Sequence, residues 1–176
     1  MRTLSLVAAA IAAMLSVGCA STSGNETAAN PAVVNAETAK PQTLLLARLQ
    51  PVAGVVTSEH DSGIKVTFPG SAAFSHDGAH INEPLQQQLG AVAQILKNTP
   101  FNKLTVLGHT DSSGQLVYNN NLSQQRAEQV KEFLQQQGLN AEQLEAQGRG
   151  PAEPIADNTS LQGKAANRRI EIMLSF

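Results

Sequence analysis

Apolar and polar positions alternate along this chain in two distinct rhythms, and those rhythms outline its elements. Lys103 to His109 repeats every two residues, with Leu104, Val106 and Gly108 on one face and Thr105, Leu107 and His109 on the other, which predicts a short strand. Two longer stretches repeat every three or four residues and predict amphipathic helices. The first opens at Asn82 or Glu83 with Pro84, carries Leu85, Leu89, Val92 and Leu96, and stops at Asn98-Thr99-Pro100. The second runs from about Asn119 to Gln137, carries Leu122, Val130, Phe133 and Leu134, and ends at Gly138. Val52–Thr57 and Ile64–Phe68 flank the turn His60-Asp61-Ser62-Gly63 and predict a hairpin. Pro69 to Asp77 is a loop with Phe74 as a core plug. A short strand near Leu144–Gln147 leads into a Gly/Pro-rich loop through Gly163, and Arg169–Phe176 closes the chain with Ile170, Ile172, Leu174 and Phe176 on one face. Strands alternating with two main helices predict an α/β fold, an α+β sandwich of one sheet with helices packed on it.

The first nineteen residues follow a different pattern. Arg2 precedes an apolar run from Leu4 to Val17, too short for a comfortable membrane span of about 20 residues. Leu15-Ser16-Val17-Gly18-Cys19 resembles a bacterial lipobox, so residues 1–19 are expected to be a lipoprotein signal peptide, with Cys19 lipidated (palmitate among the acyl chains) and becoming the mature N-terminus. Ser16 departs from that pattern, which usually has an aliphatic residue there. Ala20, where an acid would redirect sorting, implies by the same resemblance an outer-membrane anchor facing the periplasm. Residues 20–43 are Ala, Thr, Ser and Asn with two prolines, a composition that cannot offset ordering entropy and predicts a disordered tether. Residues 44–176 are then the globular domain.

Composition narrows the functional classes. A net charge of −2 gives no electrostatic footprint for nucleic acid, and no nucleic-acid partner is expected. Cys19 is the single cysteine, which excludes an internal disulfide, and the absence of Trp leaves packing to aliphatic side chains. Candidate chemistry concentrates between Gly108 and Arg126. His109, Asp111 and Ser112 or Ser113 suggest a hydrolytic set, but neighbours on one short segment rarely align as nucleophile, base and orienter, and no nucleophile-elbow sequence is present. His76 and His80, with Asp77 and Glu83 nearby, lack a third committed ligand, so no metal site is expected. Arg126 is placed oddly. It continues the apolar stripe of its helix and lies near the helix N-terminus, where a cation opposes the macrodipole by about 0.3–1 kcal/mol. Such an Arg has an anion to meet. Either Asp111 pairs with it and clips the loop to the helix, or Asp111 accepts from an ammonium while Arg126 grips a carboxylate of the same zwitterionic guest.

Gly108-His109-Thr110-Asp111, Tyr118-Asn119, Leu122-Ser123 with Arg126-Ala127, and Asn167-Arg168-Arg169 occur in an order and spacing similar to the C-terminal domain family of outer-membrane protein A, which peptidoglycan-associated lipoproteins and flagellar stator subunits share. The likeness covers roughly Ile64 to Phe176. It implies a β-α-β-α-β-β sheet domain, here preceded by the first hairpin strand. It also implies a noncatalytic domain, without cofactor, that binds the diaminopimelate of the peptidoglycan stem. Carried over by position, Asp111 takes the ammonium and Arg126 the carboxylate. Asn119 and Arg168 complete the pocket, and Thr110 and the loop from Phe74 to Asp77 contribute lesser contacts. Lys164 stands where arginine is commoner, and Ser75-His76 replaces a frequent acidic and aromatic pair. Arg169 and Lys164 are read as surface charge. The expected function is an outer-membrane lipoprotein that ties the membrane to the cell wall. An alternative keeps the fold but gives the primary role to a periplasmic regulator, docked through residues 44–58, where Leu44, Leu45 and Leu46 stand in a row.

Overall fold

A computed structural model describes residues 40–61, 63–70, 74 and 78–176. The signal-peptide and Cys19 expectations, residues 20–39 of the expected tether, and Ser75, His76 and Asp77 lie outside the described residues. In chain order the elements are α1 (Pro41–Leu49), β1 (Val56–His60), β2 (Gly63–Pro69), α2 (Glu83–Leu96), β3 (Lys103–His109), α3 (Leu116–Gln136), a 3-10 turn (Ala141–Gln143), β4 (Leu144–Gly150), α4 (Leu161–Asn167) and β5 (Arg169–Ser175). The strands form one sheet in the order β1-β2-β5-β3-β4, antiparallel except for the β3/β4 pair, which α3 joins as a parallel crossover. This is the expected mixed α+β architecture, with two additional short helices.

Period-two alternation puts Ile64, Val66 and Phe68 of β2, Ile170, Ile172 and Leu174 of β5, and Leu104 and Val106 of β3 on one sheet face. There they meet Leu85, Leu89, Val92 and Leu96 of α2 and Ala127, Val130 and Leu134 of α3 in a single buried cluster. Asn82 caps α2, accepting from the Leu85 N–H at 3.1 Å, and Pro84 sits in the first turn, where no amide hydrogen is needed. Gly138 ends α3 with φ of +95°, and the amides of Gly138 and Leu139 return to the carbonyls of Gln135 and Leu134.

The differences from expectation have local causes. α3 starts at Leu116, three residues early, because Gln115 caps it without a side-chain bond and leaves no capping signature to read. The first hairpin strand is Val56–His60 rather than Val52–Thr57. Pro51 and Gly54 (φ +75°) turn the chain first, and Val52 packs on the core from that turn. The first described element, α1, starts at Pro41, three residues before the expected start of the domain at residue 44. Its Leu45 and Leu49, four apart, are buried, Leu46 packs against the core, and Leu44 remains exposed. The three leucines therefore do not form one exposed apolar run, and residues 44–58 lose the feature that suggested a partner surface.

Candidate functional site

Helix α3 lies directly on the C-terminal ends of β3 and β4, and two glycines permit it. A Cβ on Gly108 would overlap the Ser123 carbonyl, and one on Gly148 would press on the Gln124 backbone. The Ser123 hydroxyl donates to the Asn120 carbonyl and accepts from the Gly150 amide at 2.9 Å, while the Gln124 side chain accepts from Gly148 N at 2.6 Å. This close seating brings the first half of α3 beside the loop that leaves β3, and the polar cluster forms between them.

Asp111 is nearly buried, and both of its oxygens are engaged. Oδ1 accepts from the Ser113 amide at 2.7 Å, and Oδ2 from Nη1 of Arg168 at 2.6 Å. Burial pushes its carboxyl up, but the bonds from Arg168 and Ser113, together with the Arg168 charge, outweigh that and hold it below the usual carboxylate value. Asn119 donates to the carbonyls of Ser113 (2.8 Å) and Asp111 (3.4 Å), fixing the shape of the 111–114 loop from the helix side. Thr110 is buried, with its amide on the Gly150 carbonyl and its hydroxyl without a hydrogen bond among the described residues.

Arg126 is buried to 9% exposure, on the apolar stripe where the four-residue spacing put it, but in the middle of Leu116–Gln136 and not near the helix N-terminus, so the expected macrodipole penalty does not apply. Its guanidinium lies 4.7 Å from the Phe74 ring centroid and donates through Nε and Nη2 to the Gly78 carbonyl at 3.3 and 3.4 Å. Burial is the main influence and lowers its affinity for the proton. Tyr118 and Asp111 act the other way, and the neighbouring Arg168 charge adds to the lowering. Arg126 thus feels the charges of Arg168 and Asp111, yet among the described residues Asp111 makes its ion pair with Arg168 and not with Arg126. The simple Asp111–Arg126 clip is absent there.

Two residues outside the expected pocket hold this cluster together. Asn167, fully buried, accepts from the amides of Ile155 and Ala156 and donates to the Ala156 carbonyl and the Asn158 side chain, all between 2.8 and 2.9 Å. Asn158 in turn accepts from the Ser112 amide at 3.2 Å. The 155–158 loop, the 111–114 loop and the residue preceding Arg168 are therefore one hydrogen-bonded unit.

Arg169 requires a correction. It is 3% exposed rather than a surface charge, and it donates to Glu171 (2.8 Å) and to the carbonyls of Asn167 and Glu153, beneath the chain segment that follows β4. Glu171 also has His109 at 3.6 Å and Lys65 at 3.9 Å. Burial pushes its carboxyl up, but His109 and Arg169 prevail and hold it down at about 2. His109 faces Glu171 from the sheet's open face and is not aligned with Asp111 and a serine. A groove of about 590 Å³ also lies on that open face, away from Asp111. Lys103 pairs there with Glu145, Arg149 with Glu153 and Arg169 with Glu171, and Lys65, 3.9 Å from Glu171, is the one cation in excess among the described residues. No cluster of three or more metal-type side chains occurs among the described residues.

Residues 73–168 match the OmpA family. The chain is 40% identical over 122 residues to "Probable lipoprotein YiaD" of Escherichia coli, covering 69% of this chain and 56% of that protein. It is 34% identical over 125 residues to "Peptidoglycan-binding protein ArfA" of Mycobacterium tuberculosis, covering 71% of this chain and 38% of that protein. Among solved structures, the cell wall anchor of the type VI secretion system from Pseudomonas aeruginosa superposes with a TM-score of 0.66 at 30% identity, covering 76% of this chain and 96% of that one. The chain thus spans about half the length, or less, of the curated relatives it matches.

Proposed function

The chain belongs to the OmpA family, and from that premise we propose that it is an outer-membrane-anchored lipoprotein whose periplasmic domain binds peptidoglycan noncovalently, through the diaminopimelate of the stem peptide. The domain is a binding module and not a catalyst. The observation that carries this reading is one nearly buried carboxylate, Asp111, ion-paired to Arg168 at 2.6 Å on a loop that Asn119 ties to α3, the helix carrying the buried guanidinium of Arg126. Arg126 is locked by Phe74 and Gly78; Arg168 is at the rim, with a side chain 38% exposed. An amino-acid end group carries an ammonium and a carboxylate on one carbon, and this set matches both charges with charge-assisted hydrogen bonds. The relatives' names, one a lipoprotein and one a peptidoglycan-binding protein, point the same way.

Pelleting with purified sacculi tests it. The wild-type protein is expected to sediment with the wall, and Asp111→Asn or Arg126→Gln to lose at least about tenfold in retention, since removing one partner of a buried charge contact costs about 2–5 kcal/mol. Equal retention of all three, with folding verified by circular dichroism, would discard the site. Mass spectrometry of the mature N-terminus tests the anchor: a triacylated Cys19 is expected, and an unmodified cleavage product would remove it.

A further inference from the structure

The acidic half of the site is already occupied by the protein itself. Arg168 sits on the Asp111 carboxylate at 2.6 Å and makes no other side-chain hydrogen bond among the described residues. Its backbone is fixed: its amide bonds the Lys164 carbonyl, and its neighbours Asn167 and Arg169 are both buried and multiply bonded. Its head group is partly exposed on a long flexible stem, whereas Arg126 is buried against Phe74 with two nitrogens on the Gly78 carbonyl. One guanidinium is a fixture; the other can swing.

We infer that Arg168 is a displaceable latch that makes the site selective for zwitterionic ends over plain amines. This rests on the wall-binding reading above and deepens it. A guest ammonium cannot reach Oδ2 of Asp111 without expelling Arg168. The exchange leaves the charge at Asp111 unchanged, one cation for another, but turns out a guanidinium that then needs an anion. A guest that brings a carboxylate on the same carbon supplies it, to Arg168 and Arg126 together. A guest with an ammonium alone breaks a charge-assisted bond, gains one of the same kind, and places its charge against two guanidiniums. The latch also keeps the nearly buried Asp111 carboxylate paired while no guest is bound, when an unpaired charge there would be costly.

Meso-diaminopimelate and cadaverine, the same carbon chain without its carboxylates, separate the two behaviours when titrated by NMR into wild type and Arg168→Gln at physiological salt. The latch predicts opposite responses. Cadaverine binds the variant roughly three- to fivefold more tightly than wild type, as expected for removing a partly exposed competing ion pair, and meso-diaminopimelate binds it no better. Cadaverine affinity within twofold of wild type, or lower, overturns the latch. A second readout needs no variant: saturating wild type with meso-diaminopimelate should shift the Arg168 guanidinium resonances, and unchanged Arg168 signals beside shifted Asn119 signals overturn it as well. Failure of wild type to bind meso-diaminopimelate or sacculi counts against wall binding instead, and the cadaverine comparison still decides whether Arg168 competes at Asp111.

Discussion

Glu171→Gln removes one charge and little else from the interior of this domain. Glu171 is 6% exposed, donates no bond, and receives Arg169 Nε at 2.8 Å with His109 and Lys65 beyond. Its carboxyl is lowered from the usual 4.5 to about 2. At 1.36 kcal/mol per pKa unit, that difference corresponds to a stabilisation by the ionised form of about 3 kcal/mol. A second route gives a similar size, because breaking a buried ion pair by neutralising one partner costs about 3–5 kcal/mol. For a domain of about 140 residues, a loss of about 3 kcal/mol lowers the Tm by roughly 10 °C. The pH dependence follows from the direction of the shift. The folded carboxyl titrates below its unfolded value, so the stabilisation is complete above about pH 4.5 and disappears as the pH falls through about 2. Glutamine does not titrate there, so the gap between variant and wild type should be widest at neutral pH and close in acid. Urea unfolding of both proteins from pH 7 to pH 2.5 measures that gap directly. A deficit below about 1 kcal/mol at pH 7, or one that stays constant with pH, would refute the assignment of Glu171 as the counter-ion of a buried Arg169.

Gly108→Ala should destabilise the domain by about 1–3 kcal/mol, the usual range for overpacking, because the new Cβ meets the Ser123 backbone and not a movable side chain. By lifting α3 from β3 it should also weaken sacculus binding, and a variant with unchanged urea midpoint would contradict the close seating of that helix. Because the Asp111 carboxyl is held below its usual value, sacculus binding should stay level from pH 7 to about pH 5 and fall only further into acid. A midpoint near pH 6 in the pelleting assay would mean that some other group controls the interaction.

The elements legible in the sequence were those that obey one rule over several turns or pleats. The α2 stripe, the alternation of β3 and β5, and the positive-φ stop at Gly138 each required a single reading. α4 was hidden because its seven residues lie inside a Gly/Pro-rich segment. Its one local sign is Ser160, whose hydroxyl accepts from the Gly163 amide, a cap over a helix too short to show a stripe. Arg126 was legible because a cation on an apolar stripe breaks a rule, and the structure buries it there. Its bond to the Gly78 carbonyl was not, since 48 positions of chain separate them and a carbonyl leaves no mark in a sequence. Arg169 was misread for a related reason. It shares a strand face with Glu171, two residues on, but that face looks solvent-directed until the Glu153 carbonyl and the loop after β4 close over it. The choice of Arg168 over Arg126 as the partner of Asp111 depends on loops joined through Asn158 and Asn167, and no spacing rule encodes it.

Wall recognition by paired charges is tested most directly by two muropeptides that differ in one group: a stem carrying meso-diaminopimelate and the same stem carrying lysine, which keeps the terminal ammonium and lacks the carboxylate beside it. Calorimetric titration of the wild-type protein should give binding to the first at least about tenfold tighter than to the second, the size of one lost charge-assisted contact. Arg126→Gln should erase most of that preference. Equal affinity of the wild-type protein for both stems would contradict the pairing of guanidinium with carboxylate on which the proposed function depends.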